Sequence, residues 1–141
     1  MIEVKILRKK DLVVGFKING HALSRSEINK TGNEYDLVCN SVSVLSQGAL
    51  IGIVEVLKLN CKYEIKDGYL NLDVQGLKDN EIENCQVLFL TFEKSLESMI
   101  KSIEMSFGKK KCSEYISLLK EEVQEYVNNE PSIICPQERG R

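Results

Sequence analysis

The spacing of apolar residues switches between two periods, and this alternation limits the possible folds more than any other feature of the sequence. Apolar residues recur at every second position in four short segments and at every third or fourth position in two longer ones. The alternating segments are 2–6, 14–18, 61–65 and 70–74, and the helical segments are 38–56 and 82–107. The order strand, strand, helix therefore occurs twice along the chain.

Short polar turns join the strands of each pair. Lys9-Lys10-Asp11 separates the first two strands, and Asp67-Gly68, a strong hairpin signal, separates the next two. Two hairpins with one apolar face and two helices with one apolar stripe predict an α+β two-layer sandwich. We expect an antiparallel sheet with both main helices packed on one face, in the order β-β-α-β-β-α. Gly48 and Gly52, four residues apart in the first helix, indicate close packing against a neighbouring element.

The length of 141 residues predicts one domain. We place this domain at residues 1–128, with a C-terminal addition that begins at about residue 109, after Gly108, a typical helix-ending glycine. In this addition Ile116, Leu119, Val123 and Tyr126 have the spacing of a third helix. Residues 129–141, which contain two prolines and a basic end, are predicted to form a disordered tail.

Composition excludes several classes of function. The five cysteines, at positions 39, 61, 85, 112 and 135, are widely spaced and accompany a single histidine, so neither a zinc site nor any other cofactor is expected. The sequence shows no signal peptide, and free thiols fit a reducing compartment, which predicts a cytoplasmic protein. A net charge of −2 gives no general attraction to nucleic acids or to an anionic membrane.

The candidate chemistry lies at His21, the only histidine, and at Cys39. Asp36 precedes a long apolar segment and fits the N-cap of a helix, which would place Cys39 in the first turn. The free backbone N–H groups and helix dipole there favour a thiolate, and a thiolate beside an imidazole is the minimal pair for acyl transfer. Asp36 has a second possible role, that of accepting a hydrogen bond from His21 and holding its tautomer. The backbone N–H groups of Cys39 and Asn40 are the predicted oxyanion donors.

The residues around this pair resemble a known family. Gly20-His21-Ala22, followed by Asp36-Leu37-Val38-Cys39 and then Val42-Ser43, is similar to the paired motifs of the ribosomal-processing cysteine proteases. The resemblance extends through Asp67-Gly68-Tyr69-Leu70 and covers residues 1–107.

The resemblance implies a cysteine endopeptidase that removes the N-terminal extension of a large-subunit ribosomal protein. Cys39 would be the nucleophile and His21 the base. It further implies a homodimer without metal or cofactor, and a closing edge strand at residues 115–118 in place of the third helix. The segment 23–35 would be a substrate loop, and the residues assigned to substrate contact are Gly20, Ala22, Leu23 and Tyr35.

The sequence departs from the family pattern around the nucleophile. Asn40-Ser41 replaces a pair of alanines, the segment between His21 and Cys39 is longer, and the chain continues further at its C-terminus. Two alternatives therefore accompany the protease: a non-enzymatic peptide-binding or ribosome-assembly module on the same fold, and a thiol redox sensor that uses Cys39.

Overall fold

A computed structural model of the protein describes residues 1–21 and 34–123, and of residues 34–36 it describes the backbone only. The elements in order are β1 (Ile2–Lys9), β2 (Leu12–Asn19), α1 (Glu34–Ile51), a π-helical turn (Gly52–Val56) that continues α1, β3 (Lys62–Lys66), β4 (Tyr69–Asp73), α2 (Asp79–Asn84), α3 (Gln86–Phe107), α4 (Lys109–Tyr115) and β5 (Ile116–Glu122). The predicted tail, residues 129–141, lies outside the described residues.

The strands form one mixed five-stranded sheet in the order β3-β4-β2-β1-β5. Both predicted hairpins are confirmed, and β2 pairs with β4 antiparallel to join them. The sheet is not antiparallel throughout, because β5 lies parallel to β1. Residues 116–122 are therefore a strand and not the third helix that their spacing allows. The helical part of this region is α4, which reverses the chain after α3 and delivers β5 to the outer edge of β1.

The core lies between one face of the sheet and helices α1 and α3, which confirms the two-layer α+β prediction. Phe16 of β2 stands at its centre, with its ring 4.5 Å from that of Phe92 and 6.0 Å from that of Phe89. All three side chains are buried. The predicted helix at 82–107 is divided at Cys85 into α2 and α3, and Gly108, with φ of +88°, ends it as expected.

The two glycines of the first helical segment differ in their surroundings. A Cβ at Gly52 would lie 2.7 Å from Cδ1 of Leu88 on α3, so close packing is confirmed at this position. Gly48 has open space where its Cβ would be, so the same prediction is wrong for Gly48 within this chain. Its place on α1 is exposed to solvent.

The stretch Leu37–Val56 is long and apolar enough to cross a membrane by length and composition alone. A core helix of a globular domain passes the same test, and this helix contributes Val42, Leu50 and Ile53 to the buried core. Packing against the sheet accounts for part of this hydropathy, since 33% of the span is buried and Leu37, Val44 and Ile51 are exposed.

A buried carboxylate connects β5 to the rest of the fold. Glu93 of α3 is 1% exposed. Its two carboxylate oxygens accept hydrogen bonds of 2.6 and 2.8 Å from Nη2 of Arg8 on β1, and Nζ of Lys120 on β5 lies 3.2 Å away. This cluster of charges joins the two parallel strands to the helix layer above them.

Candidate active site

A cleft of about 380 Å³ opens where the N-terminal half of α1 passes the ends of β2 and of the β3–β4 hairpin. The helix side is mostly polar, whereas the sheet side combines apolar residues of the strands with polar and charged residues at their ends and turns. The helix contributes Cys39, Asn40, Val42, Ser43, Ser46 and Gln47, and the strands and turns contribute Ile2, Ile18, Gly20, His21, Ile65, Lys66, Asp67, Gly68, Tyr69 and Leu70.

His21 and Cys39 line this same cleft from opposite sides. His21 follows Asn19, the last residue of β2, by two positions, and its side chain is 53% exposed. Cys39 is half-buried on α1. The sheet and the helix layer thus place two residues that are distant in sequence at one cleft, and their catalytic pairing stays a prediction.

Gly20 sets the direction in which the chain leaves β2. Its φ is +98°, a conformation that side chains disfavour, and a Cβ there would collide with the carbonyl oxygen of Met1. Its N–H donates a 2.8 Å hydrogen bond to the carbonyl oxygen of Gly68. The start of the His21 segment is therefore fixed to the turn of the neighbouring hairpin.

The start of α1 differs from its prediction. The helix begins at Glu34, so Asp36 is its third residue and not its N-cap. Both Glu34 and Asp36 are acidic and suit the positive end of a helix dipole, so residue type alone does not determine where the helix begins. The side chain of Asp36 lies outside the described residues, and its contact with His21 stays a prediction.

The same shift changes the expected oxyanion donors. Cys39 is the sixth residue of α1 and Asn40 the seventh, whereas only the first four N–H groups of a helix lack a partner within it. The prediction that these two N–H groups are free at the helix start is therefore wrong. The side-chain amide of Asn40 is exposed and lines the cleft.

The remaining predicted substrate residues lie largely outside the structure's description. Ala22, Leu23 and the rest of the loop up to residue 33 are not described, and neither is the side chain of Tyr35. Gly20 lines the cleft, and its contact with substrate stays a prediction. Ser43 also lines it and accepts a 2.7 Å hydrogen bond from Nε2 of Gln47, a contact within the helix that suits structural support.

The other described cysteines lie away from the cleft. Cys85 and Cys112 are buried and Cys61 is half-buried against the core. Burial is the main cause that raises the pKa of each of these thiols, for Cys85 to about 11. Cys135 falls outside the described residues. Within 1–21 and 34–123, no three His, Cys, Asp or Glu side chains are grouped so as to hold a metal ion.

One contact at the site was not anticipated from the sequence. Oδ2 of Asp67, in the β3–β4 turn, lies 3.9 Å from Nε2 of His21. The sequence identifies Asp67-Gly68 as a hairpin turn but does not reveal which strand lies beside it. The pairing of β2 with β4 brings this turn to His21.

Comparison with known families decides the classification. The family model for cysteine protease Prp matches residues 1–108. The chain belongs to the cysteine protease Prp family. No curated protein sequence matches the chain.

Solved structures share the fold of this Prp-family chain. SMU.848 from Streptococcus mutans superposes with a TM-score of 0.62 at 20% identity, over 87% of this chain and 99% of that one. The essential ribosomal processing protease Prp from S. aureus, solved with a substrate peptide, gives a TM-score of 0.61 at 19% identity, over 86% of this chain and 100% of that one. The same S. aureus protease with a covalently linked product peptide gives 0.59 at 21% identity, with 86% and 100% covered.

Proposed function

We propose that this protein is a cysteine endopeptidase in which Cys39 is the nucleophile and His21 the general base. The observation that supports it is the shared cleft of the two residues, in a chain whose family is that of cysteine protease Prp. The cleft is open to solvent on the His21 side and floored by apolar side chains from β2 and β4, such as Ile18 and Leu70. This combination suits an extended peptide with an apolar side chain.

The reaction follows from these two groups. His21 accepts the proton of the Cys39 thiol, and the sulfur attacks the carbonyl carbon of the scissile peptide bond. As the C–N bond breaks, the imidazolium gives its proton to the leaving amine. A water molecule then hydrolyses the thioester, with His21 as base, which releases the new carboxylate and restores the thiol. The side-chain amide of Asn40 is our candidate donor to the oxyanion.

The proposed substrate is a ribosomal-protein precursor with an N-terminal extension. The S. aureus relative is a ribosomal processing protease that was solved with a substrate peptide and with a covalently linked product peptide. We propose that this chain acts on the same class of substrate, and therefore in the cytoplasm during ribosome biogenesis. No nucleic acid, membrane or cofactor takes part in the proposed reaction.

Incubation with an extended ribosomal-protein peptide tests the proposal. Cys39→Ala and His21→Ala should each reduce cleavage by about 10⁴-fold or more, because the two groups act as a unit. Cys61→Ala, which removes a half-buried thiol distant from the cleft, should retain cleavage. Binding without cleavage would favour the peptide-binding or assembly module. Absent cleavage together with oxidant-dependent modification of Cys39 would favour the redox sensor.

We also propose a homodimer formed through α1. Leu37, Val44 and Ile51 recur at seven-residue intervals on this helix and are 69%, 70% and 46% exposed, and Gly48 between them leaves room for a close approach. Sedimentation of Val44→Glu should show a monomer, whereas Met105→Glu, at an exposed position on α3, should sediment as the unaltered protein does. A monomeric unaltered protein would refute the dimer.

A further inference from the structure

The turn between β3 and β4 forms one wall of the cleft directly beside the imidazole. A Cβ built on Gly68 would lie 2.6 Å from Nε2 of His21 and 3.2 Å from two of its ring carbons. The imidazole therefore packs on the backbone of Gly68 at a distance that only glycine permits. Since the N–H of Gly20 is hydrogen-bonded to the carbonyl of Gly68, the turn and the imidazole are held in register by the backbone as well.

The charge that this wall presents to the imidazole comes from Asp67. Among the described residues that line the cleft, the charged side chains are Lys66 and Asp67, and Cys39 lines the cleft from α1. Lys66 is occupied elsewhere, since its Nζ lies 3.1 Å from Oε2 of Glu64 and 6.0 Å from the ring centroid of Tyr69. Among the described side chains that line the cleft, the carboxylate of Asp67 is thus the group that can compensate a positive charge on His21.

The geometry also distinguishes the two ring nitrogens. Nε2 is the atom directed at the turn, 3.9 Å from Oδ2 of Asp67. This distance is within ion-pair range and longer than a hydrogen bond, and a small rotation of the exposed Asp67 side chain would shorten it. A proton held on Nε2 leaves Nδ1 as the basic nitrogen of the neutral ring.

We propose that Asp67 is the carboxylate that positions His21 and that Gly68 is the residue on which the imidazole of His21 packs. This inference rests on the proposed Cys39–His21 pair. Asp67 favours the proton on Nε2 and stabilises the imidazolium that forms when Cys39 gives up its proton. Removal of the Asp67 charge should therefore affect the chemical step and leave substrate affinity unchanged, because the carboxylate acts through His21.

The first test replaces Asp67 and follows both cleavage and the histidine itself. Asp67→Asn should reduce kcat by about two- to fivefold with KM unchanged, the effect expected of an exposed ion pair, and Asp67→Glu should recover most of it. In the Cys39→Ala background, the ¹⁵N NMR resonances of the single histidine in its neutral form should show a smaller share of the Nε2–H tautomer in Asp67→Asn. The control is Asp11→Asn, which removes the same charge from the turn of the other hairpin.

The second test displaces the imidazole sterically. Gly68→Ala should reduce kcat by about 100-fold, because a shift of the base by about 1 Å is enough for a loss of this size. Since Gly68 has φ of +67°, part of any effect is backbone strain. Gly108→Ala supplies the control, because Gly108 has φ of +88° but open space at its Cβ, so it introduces strain without touching the histidine.

The outcomes separate this inference from the protease proposal. If peptide is cleaved and Asp67→Asn matches Asp11→Asn in kcat and in the tautomer that the histidine resonances report, the role of Asp67 is refuted and the protease stands. If no peptide is cleaved but the histidine signals respond to Asp67→Asn alone, the contact is supported and the protease proposal fails. A Gly68→Ala protein that is folded and fully active would refute the role of Gly68.

Discussion

Truncation of Glu93 should destabilise the protein strongly, because it leaves two cations without their shared carboxylate. Glu93→Ala removes both hydrogen bonds from Arg8 and the contact with Lys120. Loss of one partner from a buried ion pair costs about 3–5 kcal/mol. The side chains of Arg8 and Lys120 are 27% and 42% exposed and water can reach them after the change, so we expect the lower end, about 3 kcal/mol.

Thermal and urea unfolding measure this effect. At this chain length 3 kcal/mol corresponds to a fall in Tm of about 10 °C. The matched control is Glu97→Ala, one turn along α3, which removes a carboxylate that contacts the same Lys120 at 2.9 Å but is 35% exposed. Surface pairs of this kind contribute about 1 kcal/mol or less. Equal losses of stability in the two variants would refute the importance of burial at Glu93.

The ion pair between Glu97 and Lys120 predicts that the stability of the protein depends on pH. Hydrogen bonds from Lys120, and secondarily from Lys94, lower the pKa of Glu97. The contribution of Glu97 to folding stability is therefore fully present above the ordinary pKa of glutamate and is lost as the pH falls through the lowered pKa. Hydrogen bonds to Glu97, and secondarily to Glu93, raise the pKa of Lys120. The contribution of Lys120 to folding stability is therefore lost only in strong alkali. As the pH is lowered from 6 to 2, the urea midpoint of Glu97→Ala should fall less steeply than that of the unaltered protein. Parallel curves would contradict this.

Three further predictions concern the helices and a buried thiol. In the Val44→Glu background, which should be monomeric, Gly48→Ala should raise the free energy of unfolding by about 1 kcal/mol in urea titrations, because the added methyl meets open space in the middle of a helix. A loss of stability would contradict this. Gly52→Ala should lack that gain, since its methyl would press on Leu88, and a gain equal to that of Gly48→Ala would argue against the contact. Burial raises the pKa of Cys85 to about 11, so this thiol should resist alkylation at pH 8 until the protein unfolds. Mass spectrometry of the modified peptide measures the labelling. Rapid labelling of the folded protein would contradict the burial of Cys85.

The sequence was sufficient for the hairpins and helices because each has one apolar face with a clear period. Alternation of apolar residues at Val14, Phe16 and Ile18 identifies β2. All three side chains are buried in the core, which is why every second position of this strand is apolar. The sequence was insufficient at residues 116–122, where the same apolar spacing fits a helix. There the open edge of β1 determines the structure, since its backbone groups pair with β5 along the whole strand.

The site was predictable to a similar extent. His21 and Cys39 were identified from their motifs, and the two-layer fold brings them to one cleft. The contact of Asp67 with His21 was not predictable, because local turn chemistry accounts for Asp67-Gly68 completely and strand order is a property of the whole sheet. The start of α1 was misplaced because an aspartate before an apolar segment suits an N-cap and a first-turn position almost equally.

The parallel pairing of β1 with β5 has a consequence for the order in which the protein assembles during synthesis. Ile2 pairs with Ile116, so nearly the whole described chain must leave the ribosome before the first strand gains its outer neighbour. Until then the nascent N-terminal hairpin exposes a row of unsatisfied amide and carbonyl groups, the kind of edge at which chains associate wrongly. Release of a chain that ends before β5 would leave this edge permanently open.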